Sequence, residues 1–248
     1  MQLIKKIKSI ALVFCCLCLA LWGLVSAYQY GTASLSFYQV NNRLTQWRTQ
    51  ESQHCEAEYI LAKNEMMSAL DKQPNHPLYA DTMAQIYEWG AILGYENSQQ
   101  ALGLAIQYYL QATQLRPAWP VSWASLSMVK WRLQEFDDEM LGYLTNADKF
   151  GPFKPEVHIL FSQLGLALYR NNHPLLINIR PEFERHLALG IRNPSSRQVV
   201  INTINNSGLS KQVCRWLRHE ESTILKLYEC RRQKRKAEQL IIKPTPKS

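Results

Sequence analysis

The sequence predicts an all-α protein: one N-terminal transmembrane helix followed by an α-solenoid of helix pairs. Three observations predict it. Ile10 to Ala27 is an 18-residue run without a charge, preceded by Lys5, Lys6 and Lys8. The tetrapeptide Pro-x-x-Pro occurs three times, at Pro74–Pro77, Pro117–Pro120 and Pro152–Pro155, each with an alanine five residues before its first proline (Ala69, Ala112, Ala147). The copies stand 43 and 35 residues apart, close to the period of stacked helix-pair repeats. With only 10 glycines and few alternating β-branched runs, the chain does not read as a sandwich or barrel.

Residues 1–9 are a basic segment and 10–30 a membrane-spanning helix, since about 20 apolar residues at ~1.5 Å each cross a hydrocarbon core of about 30 Å. Val25-Ser26-Ala27 also fits a signal-peptide cleavage site, but the apolar run exceeds the usual core of such peptides, which favours an uncleaved anchor. Both readings export the chain beyond Tyr30, because the lysines hold the N-terminus inside. Residues 31–54 form a helical linker with Leu35, Tyr38, Leu44 and Trp47 at partial 3–4 spacing.

Residues 55–230 form the repeat domain. Helices are expected at Glu56–Asp71, Leu78–Leu93, Gln99–Leu115, Pro120–Gln134, Asp137–Phe150, Pro155–Asn171, Pro181–Ile191, Ser195–Asn206 and Ser210–Cys230. Proline serves both sides of each joint: it cannot continue the preceding helix, yet its fixed φ suits the first turn of the next. Residues 231–248 are a basic, partly disordered tail.

Charge is unevenly spread. Residues 1–27 carry +3, residues 28–208 carry −2, and residues 209–248 carry +7 of the total +8. A nearly neutral middle makes nucleic-acid binding an unfavoured reading of the high isoelectric point. The basic run Arg231, Arg232, Lys234, Arg235 and Lys236 would meet anionic headgroups or acidic polymer outside a cell, or stay a solvated tail. Cys15, Cys16 and Cys18 lie in the apolar run as small hydrophobes. Cys214 and Cys230 either form a disulfide that staples the terminal helices or remain two buried thiols, with Cys55 single.

Around the second joint, Ala105, Tyr109 and Ala112, then Trp123 and Leu126, together with Tyr87 after the first joint, resemble the small and large positions of tetratricopeptide repeats. Ser127 and Lys130 depart from that pattern, and the loop near Gly94 lengthens it. A narrower resemblance covers more of the chain. The lysine-flanked anchor, these repeats, the stretch Leu115-Arg116-Pro117-Ala118-Trp119-Pro120-Val121-Ser122-Trp123-Ala124 and the stretch Phe150-Gly151-Pro152-Phe153-Lys154-Pro155 look like the VpsP family of exopolysaccharide biosynthesis proteins. The resemblance implies an accessory protein of a surface-polysaccharide assembly and export system, and with the anchor and its lysines the expected location is the bacterial inner membrane, single-pass, with a periplasmic domain. It also implies partners among the membrane proteins of a polysaccharide assembly system, and no assigned catalysis.

Chemical motifs are scarce. The six histidines do not pair at i, i+4, there is no HExxH, GxSxG, Walker loop or GxGxxG, and Cys15 and Cys18 match a CxxC spacing only inside the apolar run, so no metal, cofactor or catalytic residue is assigned. Asp137-Asp138-Glu139 reads as a helix start before it reads as paired catalytic acids. Trp119, Trp123 and Trp131 with Tyr108 and Tyr109 form the densest aromatic region; core packing outweighs a glycan groove there. Arg116, Trp119 and Trp123 are the candidate interaction surface. The expected function is a non-enzymatic scaffold for exopolysaccharide biosynthesis or export. The alternatives are a helical polysaccharide-modifying enzyme using Glu135 or Asp138, and a scaffold for pilus or cytochrome assembly.

Overall fold

The structure, a computed structural model, describes residues 2–49 and 55–242, with the side chains of 11–48, 55–220 and 222–235. Among the described residues there is helix and no strand. The helices are α1 (Gln2–Thr49), α2 (Glu56–Lys72), α3 (Pro77–Leu93), α4 (Ser98–Leu115), α5 (Pro120–Arg132), α6 (Asp138–Phe150), α7 (Pro155–Arg170), α8 (Leu175–Arg192), α9 (Pro194–Ser207), α10 (Ser210–Trp216), α11 (Glu221–Ile224) and α12 (Tyr228–Ile242). Consecutive helices pack as the pairs α1–α2, α3–α4, α5–α6 and α7–α8, the construction of an all-α helical repeat. The backbone gathers into two compact units, Met1–Arg116 and Pro117–Ser248, so the expected 55–230 domain runs across that division.

In the first unit, α1 serves two purposes. Leu12, Phe14, Leu17, Leu21, Trp22 and Leu24 are all largely exposed, as a lipid-facing helix requires, and α1 is long and apolar enough to cross a membrane. From Ala33 onward the same helix buries Ala33, Val40, Leu44 and Trp47, a single stripe at helical spacing. That stripe docks α1 on α2 and α3. Trp47 meets Trp89 edge-on with centroids 6.0 Å apart, Phe37 lies 5.3 Å from Tyr79, and Arg43 pairs with Glu65. Anchor and linker are therefore one helix up to Thr49; the last linker positions, 50–54, lie outside the described residues.

The α2–α3 crossing is close. A Cβ added at Gly90 would stand 2.5 Å from the Tyr59 hydroxyl, so only glycine fits. Tyr59 itself donates to Glu96 across 2.6 Å, and Lys63 pairs with the same carboxylate. Burial and the Glu96 charge raise the Tyr59 pKa, keeping the phenol protonated. Gly94 ends α3 with φ 74°, a left-handed cap that favours glycine.

The second unit holds two adjoining cores. One is built from α5, α6, α7 and the start of α8, with Met140, Leu144, Phe161 and Leu164 at its centre. The other joins α8, α9, α10 and α12 around Phe183, Leu187, Ile191 and Val200. At the α7–α8 crossing a Cβ on Gly165 would fall 2.1 Å from the Phe183 ring, so the two helices meet without room for a side chain.

Two expectations need correction. The helix expected from Pro181 begins at Leu175, with Pro181 inside it. Leu175 and Ile179 bury themselves in the first core, and that packing overrides the proline's cost. The single helix expected over Ser210–Cys230 is instead α10, α11 and the start of α12. Cys214 and Cys230 are joined by a disulfide with Cα atoms 5.5 Å apart, whereas sixteen residues of unbroken helix would hold them about 24 Å apart. A bridge and a continuous helix exclude each other here. The tail expected from residue 231 is helical as far as Ile242, and residues 243–248 lie outside the described residues.

Candidate functional site

The proline joints have one repeated design. The backbone N–H of Gln73, Arg116 and Gly151, each just before the first proline, donates to the carbonyl of Ala69, Ala112 and Ala147 respectively. Those alanines are buried. Their recurrence in the sequence is thus a packing requirement at the last turn of α2, α4 and α6. The second proline of each joint is the first residue of α3, α5 and α7, and the residue before it is extended, as a following proline dictates.

Arg116, Trp119 and Trp123 sit at the middle joint, where the chain divides between its units. Arg116 caps α4 in the first unit. Trp119 is the N-cap of α5 and lies half-buried, with the Lys154 ammonium 5.0 Å from its ring centroid. Lys154 is the N-cap of α7, so the equivalent positions of successive joints touch through a cation–π contact. Trp123 donates its indole N–H to the Pro117 carbonyl at 2.7 Å and packs against the first core of the second unit. It bolts the joint to α5.

Sequence reading misses two polar clusters because their members are far apart along the chain or look like a helix start. Lys130, on α5, is buried with its side chain 5% exposed, and its Nζ bonds Glu135 (2.7 Å), Asp137 (2.6 Å) and Glu139 (3.2 Å). Burial alone would lower its pKa; the three carboxylates outweigh that and raise it. Asp137 also caps α6, accepting from Met140 N–H at 3.0 Å. Burial would raise the Asp137 pKa, but Lys130 and that N–H hold it below the usual range. The acidic run is a cap and a cage at once.

The second cluster joins His158 of α7 to His186 of α8, Nδ1 to Nδ1 at 2.8 Å, both rings buried. His186 Nε2 lies 2.8 Å from Asp148 Oδ1, and Arg185 pairs with the same carboxylate. The geometry fixes the protons. Asp148 takes the His186 Nε2–H, so His186 Nδ1 accepts from His158 Nδ1–H. A second proton between the rings would set two donors face to face. Burial, then His186 and Arg185, depress the His158 pKa to about 4. At His186 burial outweighs the help of Asp148, and its pKa is lowered too. Both rings are neutral near neutral pH, and no three His, Cys, Asp or Glu side chains among the described residues converge as a metal site would require.

Two surface features remain. Arg231, Arg232, Lys234 and Arg235 are exposed on α12 while Leu227 and Cys230 face the core; the Lys236 side chain lies outside the described residues. A groove of about 310 Å³ opens on the second unit, lined by Trp131 of α5, Gln163 and Arg170 of α7, and Thr203, Asn206 and Ser207 of α9. No family model matches this chain, and no curated protein matches its sequence.

Proposed function

We propose that this protein is a non-enzymatic, membrane-anchored scaffold that organises exopolysaccharide assembly proteins on the periplasmic face of a bacterial inner membrane. The observation that carries the reading is α1: an exposed apolar helix that becomes, without a break, a packed member of the first helix pair. A helix built that way holds a domain at a membrane surface. The Cys214–Cys230 bridge supports an oxidising compartment, and the lysines before Ile10 support an inside N-terminus. The buried His158, His186 and Lys130 are consumed in structural bonds, which favours a binding role over chemistry at those groups. The exposed basic face of α12 suits anionic lipid or acidic polymer beside it.

The test is in-cell crosslinking of the full chain, with identification of the captured membrane proteins. Glycosyltransferases or polymer exporters are the expected capture, and deletion is expected to abolish surface polymer while precursor synthesis continues. Unaltered polymer in the deletion strain, or a topology reporter placing residue 200 in the cytosol, removes the proposal.

A further inference from the structure

The groove on α5, α7 and α9 differs in kind from the lysine and histidine clusters. These three helices pack in succession, α5 on α7 and α7 on α9, and the groove lies on the side they share. Much of its polar lining is unspent. Among the described residues, Gln163, Arg170 and Asn206 have no hydrogen-bond or ion-pair partner, in contrast to Arg43, Lys63, Lys130 and Arg185, each tied to a carboxylate. Thr203 donates to the Val199 carbonyl of its own helix, which leaves its oxygen lone pairs as acceptors, whereas Ser207 both donates to the Ile204 carbonyl and accepts from the Leu209 N–H. Arg170 is the sole charged side chain in the lining, and no acid accompanies it.

The chemistry of that set is specific. A guanidinium presents a planar fork that matches a carboxylate. The two primary amides of Gln163 and Asn206, with the Thr203 hydroxyl as acceptor, offer donors and acceptors side by side, the complement of neighbouring hydroxyls on a ring. Trp131 is half-buried against the core, and an indole face, negative in its quadrupole, attracts the polarised C–H groups of a flat saturated ring. The volume is that of a small-ligand pocket, not of a groove for a long peptide segment. Because its walls are helices whose backbone groups are internally bonded, the groove offers no free edge for a peptide to extend.

We infer that this groove binds a carboxylate-bearing sugar residue of an acidic polysaccharide, with Arg170 on the carboxylate, Gln163 and Asn206 on ring hydroxyls, and Trp131 beneath the ring. The inference rests on the exopolysaccharide reading and names the class of polymer that reading involves.

The experiment titrates full-length protein in nanodiscs with trimers of galacturonate, glucuronate and mannuronate, with maltotriose as the neutral control and a carboxy-terminal peptide as the rival ligand. Calorimetry and saturation-transfer NMR supply the readouts. Saturable binding of at least one acidic trimer and much weaker binding of maltotriose are expected. Arg170→Ala is expected to weaken that binding by at least about tenfold, Arg170→Lys by less, both with an unchanged melting curve because Arg170 is exposed. No binding of any acidic trimer at millimolar concentration overturns the assignment. So does binding indifferent to Arg170→Ala, or a peptide that binds more tightly than every sugar. The two readings fail separately: crosslinked assembly partners with no sugar binding remove the groove assignment alone, and sugar binding without those partners removes the scaffold.

Discussion

Lys130 and the His158–His186 pair are both buried and basic, yet the fold treats them in opposite ways. Lys130 stays charged, because Glu135, Asp137 and Glu139 reach it from the solvent side with side chains 41%, 47% and 69% exposed. The histidines stay neutral. The carboxylate bonded to them, Asp148, is shared with Arg185 and touches only the outer ring, and Glu182 acts on that same ring through charge alone. What separates the cases is the number of anions that can reach the group while remaining partly hydrated.

The largest test of that contrast strips the cage. Glu135→Gln, Asp137→Asn and Glu139→Gln together leave a buried cation without an anion and are expected to cost about 3–5 kcal/mol in urea unfolding at pH 7. Next comes acid. The folded His158 pKa, about 4, lies below the unfolded value of about 6.5, so the unfolded chain binds more protons between them. Stability is therefore full above about pH 6.5 and falls as pH drops toward 4, by roughly 3 kcal/mol in total from this residue. The His158→Leu/His186→Leu pair is expected to flatten that slope. Asp137, whose folded pKa is depressed, works in a different window. Its contribution persists above the unfolded carboxylate value near 4 and is lost as pH falls further. Two separated acid phases in wild type, the upper one absent in the double variant, would establish the contrast; a single phase unaffected by the variant would break it. The smallest effect is Glu139→Gln alone, at 3.2 Å and mostly exposed, expected to cost under about 1 kcal/mol.

Much of the fold is legible in the sequence because its signals are local. The three Pro-x-x-Pro joints mark helix ends and starts to within a residue or two, since proline acts on its own φ and on its immediate neighbour. The alanines ahead of them are visible as a pattern; that their carbonyls accept the closing N–H of each helix is not. The start of α8 escapes a local reading because burial of Leu175 and Ile179 overrides Pro181, a tertiary effect no local window contains. The polar clusters are opaque for the same reason. His158 and His186 are 28 residues apart, and it is the close crossing of α7 and α8, at Gly165 against Phe183 and at Gly190 against His158, that brings them together. Lys130 stands out merely as a departure from a repeat pattern. The groove draws on three helices, and no spacing rule links Trp131 to Arg170 and Asn206.

The continuity of α1 has a mechanical corollary. Past Tyr30 the helix runs on for about 28 Å to Thr49, with no swivel between the part a bilayer would grip and the part clamped by α2 and α3. Were a bilayer to hold the apolar part, any tilt or roll of it would be handed to the first unit as by a rigid lever.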